Sequence, residues 1–172
     1  MEHSIREARP EDLAPLYQLL LGKAEFDQSL EKVRVDESNF GRSLFGSDPR
    51  ESAIVAEVGG QLVGFATFFP IYFSYLGCCL WLDDLFVLAS HRGAGIGRHL
   101  LSRVAQIAAT LGASRIDWTV AADNTRGRSF YEQIGATVVE TSRVVRLPEA
   151  GIAALAREAE PAAQQGDEAD RP

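Results

Sequence analysis

Residues 91–97 read His-Arg-Gly-Ala-Gly-Ile-Gly, placed between an apolar run that ends Leu85-Phe86-Val87 and a long amphipathic stretch. A glycine-spaced loop that opens a helix presents backbone N–H groups and the positive end of the helix dipole, which together favour an anion such as phosphate. The dinucleotide-binding spacing Gly-x-Gly-x-x-Gly fails here because position 98 is Arg98, and the Gly-Lys-Ser/Thr of a nucleotide-triphosphate loop is absent. A turn that merely starts a helix stays open for the loop taken alone. Just upstream, Asp83 and Asp84 stand side by side in an apolar strand. They either cap or pair locally, or they do chemistry, since acids are uncommon in such a setting without a role.

The elements that must position these residues are legible in the pattern of the chain. Residues 3–8 alternate as an edge strand. Pro10-Glu11-Asp12 opens a helix, with Leu13, Leu16, Tyr17 and Leu20 at helical spacing. A second, less regular helix is expected over 29–45. Residues 52–58 and 61–69 flank Gly59-Gly60 as a β-hairpin, and 75–87 form a third strand. The strongest helix runs over 95–111, with Ile96, Leu100, Leu101, Val104, Ile107, Ala108 and Leu111 on one apolar face. Residues 114–120 alternate as a half-buried strand, 124–134 form a short helix, and 137–147 supply one or two β-branched strands. An alanine-rich helix follows Pro148 to about 159. The order predicts an α/β domain of the α+β type with a mixed, mostly antiparallel sheet flanked by helices.

At 172 residues the chain has room for one well-buried domain, expected over 1–159, with 160–172 an acidic, disordered tail. The formal charge is −7, and the five acids of 157–172 against Arg157 and Arg171 place −3 of it there. A nucleic-acid partner is thereby disfavoured, because it needs a basic face. No apolar run is long enough to span a bilayer and the N-terminus lacks a signal core, so the expectation is a cytoplasmic protein without a membrane partner. Adjacent Cys78 and Cys79 offer no disulfide framework, and with His3, His91 and His99 alone no cysteine–histidine metal site is expected.

The loop Arg92-Gly93-Ala94-Gly95-Ile96-Gly97 resembles the Arg-x-x-Gly-x-Gly pyrophosphate loop of acyl-CoA-dependent N-acyltransferases. Residues 122–136 contain Asn124, Phe130, Tyr131, Gly135 and Ala136 at the positions of the second half of the same signature. Together the two motifs resemble the GNAT superfamily of N-acetyltransferases over about residues 3–147. The run 80–87 with the loop, and 120–131, look like the diamine (spermidine/spermine N1-) acetyltransferase subgroup. The resemblance implies a GNAT fold with splayed central strands, acetyl-CoA as cosubstrate, no metal, a small amine as the other substrate and a homodimer.

By the same resemblance, Arg92, Gly93, Ala94, Gly95, Ile96, Gly97 and Arg98 grip the pyrophosphate, and Asn124, Arg126, Gly127 and Tyr131 complete the CoA site. The backbone of Leu85, Phe86 and Val87 binds the pantetheine arm like an added strand and polarises the thioester carbonyl. Tyr131 is the implied general acid to the thiolate; a phenol, with a reference pKa near ~10, stays protonated at neutral pH. An alkyl amine is mostly protonated at neutral pH, so a carboxylate must take a proton, and Asp83 or Asp84 is available. Neighbours in a strand face opposite ways, and the family's Glu-Asp pair makes Asp83 the choice, one methylene short and therefore suited to a bridging water.

The amine side is implied to rest on Phe26 and Asp27, where the family has Tyr-Glu, and on Asp83. Arg143 stands where the polyamine enzymes have an acid, and its charge repels a second ammonium; Asp117 compensates for it. The acceptor is therefore a small primary amine such as a short diamine, a polyamine or a thialysine-like amino acid. Two other readings are an idle acyl-CoA-binding regulatory module and an enzyme that acetylates protein N-termini.

Overall fold

Apolar segments at 53–56, 63–68 and 79–82 are rich in β-branched and aromatic side chains and too short for helices that bury both faces, so they pair as strands. The computed structural model describes residues 2–158. The chain divides into two units between Ala121 and Ala122. In the first unit β1 (Ser4–Glu7), β2 (Ser52–Val58), β3 (Gln61–Phe73), β4 (Gly77–Val87) and β5 (Ile116–Asp117) lie side by side in chain order. All pairings are antiparallel except β4 with β5, which are parallel and joined through α3 (Ile96–Thr110).

Helices cover both faces of the sheet. On one, α1 (Leu13–Phe26) and α2 (Glu37–Phe45) place Leu16, Leu19, Phe40 and Leu44 against Ala53, Val55, Phe65 and Phe86. On the other, α3 buries Ile96, Leu100, Leu101, Val104 and Ala108. That is the apolar stripe expected for it, except that Ile107 is half-buried and Leu111 at its end is exposed. The hairpin and the edge strand β1 form as the sequence predicts. Here β3 runs beyond 69 to Phe73 through Pro70; β2 stops opposite Phe68, so the outer part of β3 needs a partner on one side only, where proline is tolerated.

Three elements differ from expectation. The helix expected over 29–45 is a single 3₁₀ turn, Leu30–Lys32, an extended stretch and then α2. Gln28, with φ +50°, ends the preceding helix, and Asp36 starts the new one by accepting from the Asn39 amide at 2.7 Å. The strand expected over 114–120 shrinks to two residues, because β4 offers it a ladder only at Leu80 and Trp81. Residues 137–147 form no strand: Val139, Val144 and Val145 are exposed, and β-branched residues favour extended backbone without supplying a partner for it. The second unit holds α4 (Thr125–Gln133) and α5 (Glu149–Glu158). The tail expected to be disordered, 160–172, lies outside the described residues.

An ion pair fastens the first strand to the first helix. Asp12, buried at the start of α1, accepts from the Arg6 guanidinium at 2.6 and 2.9 Å and from the Arg9 amide at 2.8 Å. The hydrogen bonds from Arg6, helped by that of the Arg9 amide and by the Arg6 charge, hold the Asp12 carboxyl below the usual carboxylate range, outweighing burial. A folded-state pKa below the unfolded value near ~4 means the stabilisation is complete above that value and is lost as pH falls through the lowered one. Asp12→Ala is expected to lower unfolding free energy by about 2 kcal/mol at neutral pH. Urea titrations near pH 7 and near pH 3 check this, the gap between variant and wild type closing at the lower pH.

Candidate functional site

The glycine loop follows the end of β4 and turns directly into α3. Gly93 and Gly95 adopt φ +84° and +80°, the left-handed region, and Gly95 is the residue that caps α3. The first-turn amides of α3 have no carbonyl one turn earlier to bond, so they point out of the helix end as an anion would require. Ile96 is buried beneath them and anchors the loop, while Gly97 packs where a side chain would meet Val87. Of the two cations offered by sequence, Arg98 is exposed in that first turn. Arg92 turns the other way: its Nε donates to the Val87 carbonyl at 2.8 Å, and its guanidinium lies 4.3 Å from the Phe26 ring centroid and 5.5 Å from that of Phe86. It ties the end of α1 to the end of β4.

Next to the loop the sheet opens. β5 pairs with β4 only at Leu80–Ile116 and Trp81–Asp117, and from Leu82 onward that edge of β4 has no ladder partner among the described residues. Opposite, the β3 register runs Phe68–Leu82 and then Thr67–Asp84, which leaves Asp83 as the extra residue of a β-bulge. Beyond the bulge Leu88 donates to Val63, so by alternation Asp84 and Phe86 direct their backbone groups at β3. Leu85 and Val87 direct theirs at the open edge. Of the three residues expected to offer backbone there, two do, and Phe86 is a core side chain under α1.

The bulge also separates the two acids. Asp83 is exposed, whereas Asp84 turns under α1, where Lys23 reaches it at 2.9 Å and the Thr67 hydroxyl donates to it at 3.4 Å. The same ammonium bonds Asp27 at 2.7 Å. Burial works to lower the Lys23 pKa, but the Asp84 and Asp27 carboxylates outweigh it and push it up to about 12. Burial raises the Asp84 carboxyl above the usual carboxylate range, with Lys23 pulling against it. Glu51, just before β2, joins this acidic patch: burial raises its pKa, the Ser43 hydroxyl bonds it at 2.7 Å, and the charges of Asp83 and Asp84 raise it further.

Lys23 and Glu51 were not among the residues picked out by sequence. The Lys23-x-x-x-Asp27 spacing signals a helical ion pair, so the first was legible. Nothing local marks Glu51, which the register of β2, β3 and β4 brings level with the bulge. Phe26 is exposed beneath the Arg92 guanidinium, and Asp117 is already paired with Arg115 at 2.8 Å.

In the second unit Asn124 caps α4, its Oδ1 accepting from the Gly127 amide at 2.8 Å, and a side chain at Gly127 would strike it. Arg126 and Arg143 are exposed. Tyr131 is half-buried, its ring 5.3 Å from that of Phe130, and its carbonyl accepts from the Ala136 amide past the end of the helix.

Residues 13–136 match the model of the acetyltransferase (GNAT) family. The chain is 29% identical over 140 residues to the thialysine N-epsilon-acetyltransferase of Mus musculus, covering 77% of this chain and 82% of that one. It is 30% identical over 139 residues to the spermidine/spermine N(1)-acetyltransferase-like protein 1 of Homo sapiens, covering 77% of this chain and 20% of that one. Among solved structures, the integron cassette protein VCH_CASS6 from the V. cholerae mobile metagenome superposes with a TM-score of 0.76 at 26% identity, over 91% of this chain and 99% of that one. The chain belongs to the acetyltransferase (GNAT) family, and it is an acetyl-CoA-dependent N-acetyltransferase. The outward amides of the loop suit the cosubstrate's pyrophosphate, and the open edge at Leu85 and Val87 suits an arm that carries amides of its own.

At Gly95 an added Cβ meets nothing within 4 Å, so the cost of a side chain is that of the backbone conformation alone. Gly95→Ala is expected to lower stability by about 1–2 kcal/mol and to weaken acetyl-CoA binding in calorimetry. Gly95→Asn, which tolerates this conformation better, recovers part of both. An alanine variant that binds like wild type would separate this loop from the cosubstrate.

Proposed function

We propose that the chain transfers the acetyl group of acetyl-CoA to a primary amine of a small molecule, a diamine, polyamine or thialysine-like amino acid, by direct attack in a ternary complex. The observation that carries this is the exposed Asp83 carboxylate, set at the bulge where β4 parts from β5 and flanked by Asp84 and Glu51. An amine arrives as its ammonium, so an acidic patch both attracts it and takes its proton. Asp83 is the general base because Asp84 is committed to Lys23 and Thr67.

Tyr131 is proposed as the general acid on the strength of its motif. The backbone of Leu85 and Val87 and the loop from Gly93 to Arg98 hold the cosubstrate. Phe26, Asp27 and Asp117 are the proposed amine contacts, and Arg143 joins them through its place in the sequence pattern. One catalytic domain over 1–159 is part of this proposal; the family match, over residues 13–136, crosses from one unit into the other. A homodimer follows the family pattern, and the free thiols of Cys78 and Cys79 fit the reducing cytoplasm. Among the described residues no helix is long and apolar enough to cross a membrane.

The test offers acetyl-CoA with spermidine, putrescine, thialysine, lysine and peptide N-termini, following released CoA with a thiol reagent. Turnover with at least one small amine is expected. Asp83→Asn and Tyr131→Phe should each cut kcat by about 10²-fold while acetyl-CoA binding holds. Binding without turnover of any amine would make the chain an acyl-CoA-binding module. Turnover confined to peptides would make it a protein N-terminal acetyltransferase.

A further inference from the structure

Lys23 is the one side chain in the acidic patch whose presence an amine-binding site does not explain. A cleft that collects ammonium groups with Asp27 and Asp84 has no need of a lysine between them, yet the Lys23 Nζ lies 2.7 Å from one and 2.9 Å from the other. Its side chain is 25% exposed, and that of Asp84 is 14% exposed, so water screens the pair less than at a surface. The ammonium takes the positions that a second substrate cation would fill. Asp117 is likewise engaged, with Arg115 at 2.8 Å. Asp83 and Glu51 are then the carboxylates of the patch not already paired with a cation of the protein, whereas Asp27 and Asp117 meet an amine with their charge partly answered by Lys23 and Arg115.

We propose that Lys23 is a built-in counter-ion that sets acceptor preference: it offsets part of the negative charge of Asp27 and Asp84 from within and steers the enzyme toward amines whose far end is neutral or zwitterionic. This rests on the amine-acetylating function proposed above. Diamines and polyamines must bring a second positive charge toward a site where a cation already sits, and like charges at this spacing oppose binding. Amines ending in a methyl group or in an amino-acid head do not pay that repulsion in full, because the head carries its own carboxylate. Lys23 acts on substrate choice and does not touch the reacting nitrogen, so its effect falls on KM more than on kcat.

The experiment measures kcat and KM for butylamine, thialysine, putrescine and spermidine with wild type, Lys23→Met, Lys23→Gln and Lys23→Arg. Wild type is expected to favour butylamine and thialysine over putrescine and spermidine. In Lys23→Met, kcat/KM for the two polyamines relative to butylamine should rise about tenfold, mainly through KM, because Asp27 and Asp84 become available. Lys23→Arg keeps the charge and should keep the wild-type order. Removing the ammonium leaves Asp84 buried without its partner, so Lys23→Met can fail to fold. Lys23→Gln still donates a hydrogen bond there and carries the same expectation. An unchanged polyamine-to-butylamine ratio in a folded Met or Gln variant would overturn the proposal, as would a wild type that already prefers putrescine or spermidine. Those results leave amine acetylation standing, whereas a wild type that turns over no amine at all removes the function together with the inference.

Discussion

One extra residue in β4 sets the geometry on which the site depends. At Leu80 and Trp81 the strand is held on both edges, by β3 and by β5. At Asp83 the bulge adds a residue that β3 does not match, and the alternation of faces slips by one. Asp84 and Phe86 thereby come to the α1 side, and the backbone of Leu85 and Val87 comes to the edge that β5 has left. The slip decides which of the two acids turns under α1 and which is exposed, beside an edge that β5 has already left. The glycine loop then follows at the strand's end, where Gly93 and Gly95 take backbone conformations that a side chain would strain.

The open edge has to be kept from closing or collapsing, and Arg92 contributes to that. Its Nε occupies the Val87 carbonyl while its guanidinium rests on Phe26, so the end of α1, the end of β4 and the start of the loop share one side chain. The family resemblance casts this arginine as a pyrophosphate ligand; in the structure its side chain is engaged by the Val87 carbonyl and the Phe26 ring, while Arg98 in the first turn of α3 is exposed.

Charge in the acidic patch is arranged by pairing and burial together. Asp27, Asp83, Asp84 and Glu51 would repel one another if all were ionised and unpartnered, and burial raises the carboxyls of Asp84 and Glu51 accordingly. Lys23 relieves part of that repulsion, which is why its own proton is held more tightly than in water. The result is an acidic patch that is stable as a folded surface, with the exposed carboxylate of Asp83 at the bulge.

The sequence alone determined the two glycine-bearing motifs, the amphipathic helix α3, the hairpin and the identity of the acid pair. Each of these is written in local spacing: 3.6-residue periodicity, glycines where φ must be positive, a proline and early acids at a helix start. It also carried the family resemblance, because the loop and the Asn124–Tyr131 run sit at fixed offsets. What the sequence left undecided is which acid faces solvent, because strand alternation predicts opposite faces without saying where a bulge resets them. It misread 137–147 as strand, since β propensity says nothing about whether a neighbouring backbone is there to bond. Glu51, the double engagement of Lys23 and the diversion of Arg92 onto Phe26 were decided by tertiary structure alone. They join residues distant in the chain, and only the register of β2, β3 and β4 and the packing of α1 bring those charges within reach of one another.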